Sequence, residues 1–272
     1  MRFAARGGMS TADELQWVWE HNPFSSELAK AHSTYAAYDG TALVRLLETA
    51  PPSPFARTAH TAFRGFVSDE AFSCLGARAA ISRRSYRFGA YRRLDDNDVT
   101  AGLARDLFAF VTERRGFGST FTTYVATFAE SASDAEAERS FERALWGQLQ
   151  RLHDLDRQFH AWDARVACDP EDPRFSYSFA GTAFFVVGLH PHSPRRARRF
   201  AWPTLVFNAH EQFEQLRADG SFSRLQTRIR ERELALDGSL NFNLTEYGER
   251  SEARQYAGHP VPDDWRCPFR PR

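Results

Sequence analysis

The sequence predicts an α+β fold, a mainly antiparallel sheet packed with several helices. Three observations predict it. Leu103, Leu107, Phe110 and Val111 recur at helical spacing within residues 98–115, and Phe141, Leu145, Leu149 and Leu152 make the apolar stripe of a longer helix over 133–156. Aromatic residues alternate with small polar ones at Phe175, Tyr177 and Phe179, and the apolar run "TAFFVVGL" follows after a short turn, as in an antiparallel hairpin. Helix and strand patterns do not alternate strictly along the chain, which disfavours a doubly wound parallel sheet.

The elements follow in order. "STADELQWVWE" opens with Ser10 and Thr11 as helix caps and has acidic residues in its first turn, and "SSELAKAHSTYAAY" continues at helical spacing. Residues 1–50 are therefore expected as an N-terminal helical segment. The proline-dense "TAPPSPFA" separates it from the main body, 51–272, expected as one compact unit. "SYRFGAY", "STFTTYVATFA" and "PTLVFNAH" read as further strands, while "AHEQFEQLRAD" and "FSRLQTRIRERELAL" read as helices. "DPEDP" is a loop.

The chain has 272 residues, enough to bury a sizeable core around an internal site. Its 35 basic and 35 acidic residues balance, which argues against a nucleic-acid or other polyanion binder. Lys30 is the only lysine, so the positive charge is nearly all arginine, an even bias that discounts any single arginine. Cys74, Cys168 and Cys267 lie far apart with no CxxC, the usage of a reducing, cytoplasmic setting. No run of about 18 apolar residues predicts a membrane span. The motifs HExxH, GxSxG and the phosphate-binding glycine loops are all missing.

Four constellations carry possible chemistry. His153 shares the buried face of Trp146 and Leu149, with Asp156 three residues on. A helical histidine oriented by a carboxylate is a common metal ligand, although a half-buried histidine at a helix end is the commoner occurrence. "GLHPHSPRRARRF" sets His190 and His192 at a strand end, followed by Arg195, Arg196, Arg198 and Arg199. These guanidiniums could clamp carboxylates, or simply line a basic loop. Cys74 is either a buried filler or a thiolate ligand. In "DDWRCPF", Trp265 and Phe269 read as an apolar cluster docking the tail.

Taken together, "FSCLGARAA…SYRFGAY", "FERALWGQLQRLHDLD", "FSYSFAGTAFFVVGLHPHSPRRARRF" with "PTLVFNAHEQFEQLR", and "LNFNLTEYGERSEARQYAG…DDWRCPF" resemble the YqcI/YcgG family from about Phe72 onward. Ser73 stands where the family usually has a proline, whereas the LHxxD signature is intact as Leu152, His153 and Asp156. The resemblance implies a heme b-dependent oxygenase, with its pocket between sheet and helices. Such an enzyme N-hydroxylates a free amino acid or guanidine, as in guanitoxin and D-cycloserine assembly. L-Arginine, converted to Nω-hydroxy-L-arginine, is the first choice of substrate, with O2 or peroxide and an external electron donor. In that reading His153 ligates the iron with Asp156 behind it, and His190 competes for the iron ahead of Cys74. Arg195, Arg198 and Arg199 pair with heme propionates, and Glu246 and Glu249 hold the charged substrate. The alternatives are a heme carrier or sensor without turnover, and a non-heme metal hydrolase built on His153, His190 and His192.

Overall fold

The computed structural model describes residues 16, 19–118, 121–130, 137–240 and 249–271. Seven strands form one sheet in the order β2-β1-β3-β4-β7-β6-β5. They are β1 (Ala36–Tyr38), β2 (Leu43–Arg45), β3 (Tyr86–Arg93), β4 (Thr123–Glu130), β5 (Tyr177–Phe179), β6 (Thr182–Leu189) and β7 (Thr204–Ala209). Neighbours are antiparallel except β3 and β4. A parallel pair needs a crossover, and α4 (Asn97–Glu113) supplies it. The α+β class with a mainly antiparallel sheet is as predicted.

Eight α-helices accompany the sheet among the described residues: α1 (Glu27–His32), α2 (Pro54–Ser68), α3 (Leu75–Arg83), α4, α5 (Ala137–Asp156), α6 (Glu211–Ala218), α7 (Ser221–Asp237) and α8 (Ala253–Tyr256). Both sheet faces are covered. Because side chains alternate along a strand, Tyr124, Ala126 and Phe128 of β4 and Leu205, Phe207 and Ala209 of β7 meet α4 and α5. Val125 and Val206 point the other way, into a second core with Phe63 and Val67 of α2 and Ile81 of α3. The predicted stripes of α4 and α5 are all buried.

Two expectations change. Helical spacing over residues 25–38 ends early: α1 stops at His32, and Ala36–Tyr38 pairs with β2 and β3. The extended Ser33 and the aromatic Tyr35 and Tyr38 favour a pleated strand over a continued helix. The proline-dense "TAPPSPFA" is not a plain break either. Ser53 accepts a hydrogen bond from Ala56 N at 3.1 Å and Pro54 sits in the first turn, so the prolines start α2. The opening "STADELQWVWE" lies largely outside the described residues.

The β5–β6 hairpin turns on Ala180 and Gly181, both at positive φ (49° and 66°). That is the two-residue turn whose twist matches the flanking strands. No helix among the described residues is long and apolar enough to cross a membrane.

Candidate functional site

At the C-terminal end of β6 the chain passes Gly188 and reaches His190. A side chain at Gly188 would lie 2.7 Å from both Phe141 and the Tyr256 carbonyl, so glycine lets α5 and α8 close over this strand. Phe141 then stacks on the His190 ring, centroid to centroid at 4.5 Å. His190 is 2 % exposed. Both of its ring nitrogens are buried without a hydrogen-bond partner. Burial, helped by the nearby charges of His192, His259 and Arg198, pushes its pKa down to about 4, so the imidazole is neutral at pH 7.

His190 borders a cleft of about 470 Å³ whose lining includes Arg93, Asp95, Glu130, Phe141 and His192. This size suits a small-molecule or cofactor site. Asp95 is paired with Arg151 at 2.8 Å and Glu130 with Arg92 at 2.9 Å. Next to Phe141 on α5, Glu142 lies 3.3 Å from His259 Nε2. A buried polar atom without a partner carries a desolvation cost, so two on one neutral ring beside a cleft mark a place where a ligand could complete the site. A neutral imidazole with unpartnered nitrogens fits the proximal position of a heme iron.

His153 lies elsewhere, on the inner face of α5, 6 % exposed. Its ring edges onto Trp162 and Phe269 at 5.5 and 5.3 Å. Its Nε2 is also buried without a partner, and burial lowers its pKa. The neighbours here are the rings of the core, and the residues lining the His190 cleft do not include it.

Asp156 does not turn towards His153. Its Oδ1 meets His160 Nδ1 at 2.8 Å, and Oδ2 accepts a hydrogen bond from Ala180 N at 3.0 Å. The difference is geometric. Asp156 is the last residue of α5, and the chain beyond it brings position i+4 within reach. The carboxylate thus holds the left-handed Ala180 in the hairpin turn. Burial raises its pKa, opposed mainly by His160.

The arginines are committed to the chain itself. Arg195 donates to Ser239 Oγ and O at 2.9 and 2.7 Å and lies 3.3 Å from Asp237 and 3.8 Å from Glu233, pinning α7. Arg198 donates to Gln255 O at 2.8 Å and lies over Gly258, where a Cβ would come within 2.7 Å of its side chain. Arg199 donates to Ser193 O at 2.9 Å. These bonds replace the expected propionate clamp with loop closure, because carbonyls from the same loop and from α7 and α8 come into reach first. Arg93 is the arginine that lines the cleft.

Cys74 is half-buried at the N-terminus of α3, and burial raises its pKa, which disfavours a thiolate. All three cysteines are free. Glu249 is exposed and lines a separate surface hollow with Arg250 and Trp265, away from His190. Glu246 lies outside the described residues. Among the described residues, no three His, Cys, Asp or Glu side chains come together in a metal-binding group, so His153, His190 and His192 do not converge.

The sequence reading missed the cleft residues Arg93, Asp95 and Glu130, which meet only because the ends of β3 and β4 lie side by side. It also missed Glu252, a buried carboxyl group. Ser176 Oγ and the Tyr256 hydroxyl donate to its Oε1 at 2.7 and 2.6 Å, and burial raises its pKa to about 8. The polar Ser176, just before β5 in the aromatic run, was the one signal that a polar group faced it.

Two curated relatives are similar to the chain, both from Bacillus subtilis (strain 168) and both described as uncharacterized. YcgG is 26% identical over 243 residues, covering 85% of this chain and 94% of the relative. YqcI is 28% identical over 193 residues, 68% of this chain and 74% of the relative. No solved structure matches. The family model of YqcI/YcgG matches residues 63–270, from α2 through the docked C-terminal tail and across the whole His190 cleft, and the chain belongs to the YqcI/YcgG family.

Proposed function

We propose that this chain is a heme b-dependent oxygenase that hydroxylates a terminal nitrogen of a free amino acid, with L-arginine the first substrate to test. The observation that carries the reading is His190: a neutral, buried imidazole with both nitrogens unpartnered at the wall of a 470 Å³ cleft. Heme b, when bound, supplies the oxygen chemistry, drawing on O2 with an external electron donor or on peroxide.

The chain's own residues supply ligation, charge and exclusion of water. His190 would hold the iron, fixed in orientation by the Phe141 ring against it. Arg93 and His192 are the lining groups suited to carboxylates, whether of propionates or of the substrate. Asp95 and Glu130 are the lining groups suited to a guanidinium or ammonium. Leu94, Phe141 and Ala144 make the apolar part of the wall. One observation favours a second reading, a heme carrier without turnover: Asp95 and Glu130 already hold Arg151 and Arg92, which would leave them less available to a substrate.

The test is an absorption spectrum of the protein purified after expression with ample heme. The expected result is a Soret band that His190→Ala abolishes or shifts, that His153→Ala leaves in place, and that L-arginine perturbs. A colourless protein under these conditions would overturn the heme reading. A Soret band indifferent to every free amino acid tested would favour the carrier.

A further inference from the structure

The opposite face of the sheet holds a second concavity, of about 770 Å³, walled by α2, α3 and β1. Its lining includes Tyr38, Arg64, Ser68, Arg78, Ser82 and Arg84, three guanidiniums and three hydroxyls without a carboxylate. In a chain whose formal charge sums to zero, a cavity wall with three positive charges and no negative one is a local departure. Helical spacing produces it. Arg64 and Ser68 are four residues apart on α2, Arg78 and Ser82 are four apart on α3, and the two pairs face each other across the groove.

The positive groups are only partly offset by the chain, through the reach of the Asp39 carboxylate to Arg84. Among the described residues, no salt bridge joins a carboxylate to Arg64, Arg78 or Arg84. Asp39, whose charge reaches Arg84, spends Oδ1 on Thr41 N, Thr41 Oγ and Ala42 N. Arg84 donates to the Asp39 carbonyl at 2.7 Å, and Arg78 makes one long contact, 3.4 Å, to the Glu70 carbonyl. Arg64 is held by stacking and by a side-chain hydrogen bond to Tyr86. Its guanidinium carbon lies 3.7 Å from the centroid of the Tyr38 ring, and its Nη1 is buried without a hydrogen-bond partner. Tyr38 in turn packs on His60, and His60 Nε2 lies 2.7 Å from the Tyr86 hydroxyl, so the platform beneath Arg64 is rigid. A guanidinium ordered by an aromatic face keeps its fork of donors set for a planar or tetrahedral oxyanion.

We infer that this groove is an anion site that takes a phosphate-bearing small molecule, with Arg64 and Arg78 gripping the phosphate and Ser68 and Ser82 adding hydroxyl donors. The inference is independent of the heme reading, since it uses no residue of the His190 cleft. A free phosphate ion and a phosphomonoester share this chemistry, and the volume favours the ester.

The experiment is isothermal titration of the full chain with inorganic phosphate and, separately, with adenosine 5′-monophosphate, at low ionic strength. The expected result is saturable binding at one site per chain. Arg64→Gln and Arg78→Gln should each weaken it at least tenfold, while Arg115→Gln, an exposed arginine outside the groove, leaves it unchanged. Circular dichroism melts of the variants show whether the fold is kept; since Arg64 and Arg78 are on different helices, a folding defect in one leaves the other as the test. Tighter binding of the nucleotide identifies an organic phosphate, and equal binding identifies the ion. Absence of saturable binding by either probe overturns the site. So does binding that a folded Arg64→Gln and a folded Arg78→Gln both retain.

Discussion

The face of the sheet under α4 and α5 buries carboxyl groups alongside His153 and His190, whereas the face under α2 and α3 buries His60 with apolar side chains and the Tyr86 hydroxyl. On the first, Asp106 is fully buried, accepting hydrogen bonds from Thr34 N and the Tyr91 hydroxyl at 2.7 Å, and burial raises its pKa to about 6. Glu252 sits in the same layer at about 8. On the second, burial pushes His60 down to about 4. All three are neutral forms favoured by a low-dielectric interior, but they link stability to pH with opposite signs. A carboxyl with a raised folded pKa contributes fully below its unfolded value and loses that contribution as pH rises through the folded one. A histidine with a lowered folded pKa contributes fully above its unfolded value and loses it as pH falls. His153, on the first face, is lowered too and works with His60.

The largest effect that could break this comparison is at Glu252. Its shift from 4.5 to about 8 corresponds to roughly 5 kcal/mol lost between those pH values. Urea denaturation of the wild type at pH 5 and pH 8 should differ by an amount of that order, and Glu252→Gln should remove most of the difference. Parallel pH curves for the two proteins would mean that Glu252 ionises at its ordinary pKa.

Next is the packing of the first face. Phe269 is 1 % exposed and its ring lies within 6.3 Å of Trp146, His153, Trp162, Phe175 and Tyr177. Phe269→Ala should cost about 3–5 kcal/mol. A loss below about 1 kcal/mol would show that the C-terminal tail only rests on the core.

On the other face, the His60 shift from 6.5 to about 4 is worth roughly 3 kcal/mol. His60→Phe should flatten the acid limb of the stability profile between those pH values. At pH 7 it should cost about 1–3 kcal/mol for the partner that the Tyr86 hydroxyl loses. An unchanged acid limb would shift the burden to His153 or His190.

The smallest effect separates the two histidines of the first face. His153 is enclosed by rings, so His153→Leu, which removes a buried nitrogen without a partner, should change stability by less than about 1.5 kcal/mol. In the heme reading it should also leave the Soret band in place. Loss of the band in a folded His153→Leu would restore His153 over His190 as the ligand.

Much of this architecture is legible in the residues themselves. Local periodicity determined α4, α5 and the β5–β6 hairpin, because burying one face of a helix or strand leaves a repeating trace, while the apolar pair Trp265 and Phe269 marked the docked tail. It also put His153 on a buried face. Proline and capping chemistry at Ser53 and Pro54 was present in the sequence but read as a break, since the same residues serve both purposes. What only the tertiary structure decided are the contacts between distant segments: that Asp156 would hold Ala180 and His160, and that the arginines after His190 would close onto α7 and α8. The same is true of Arg93, Asp95 and Glu130 gathering beside His190, and of the groove formed by Arg64 and Arg78. A residue's type fixes which partners it can accept. Only packing fixes which partner arrives, and that choice separates an imidazole edged by the rings of the core from one that borders a cleft.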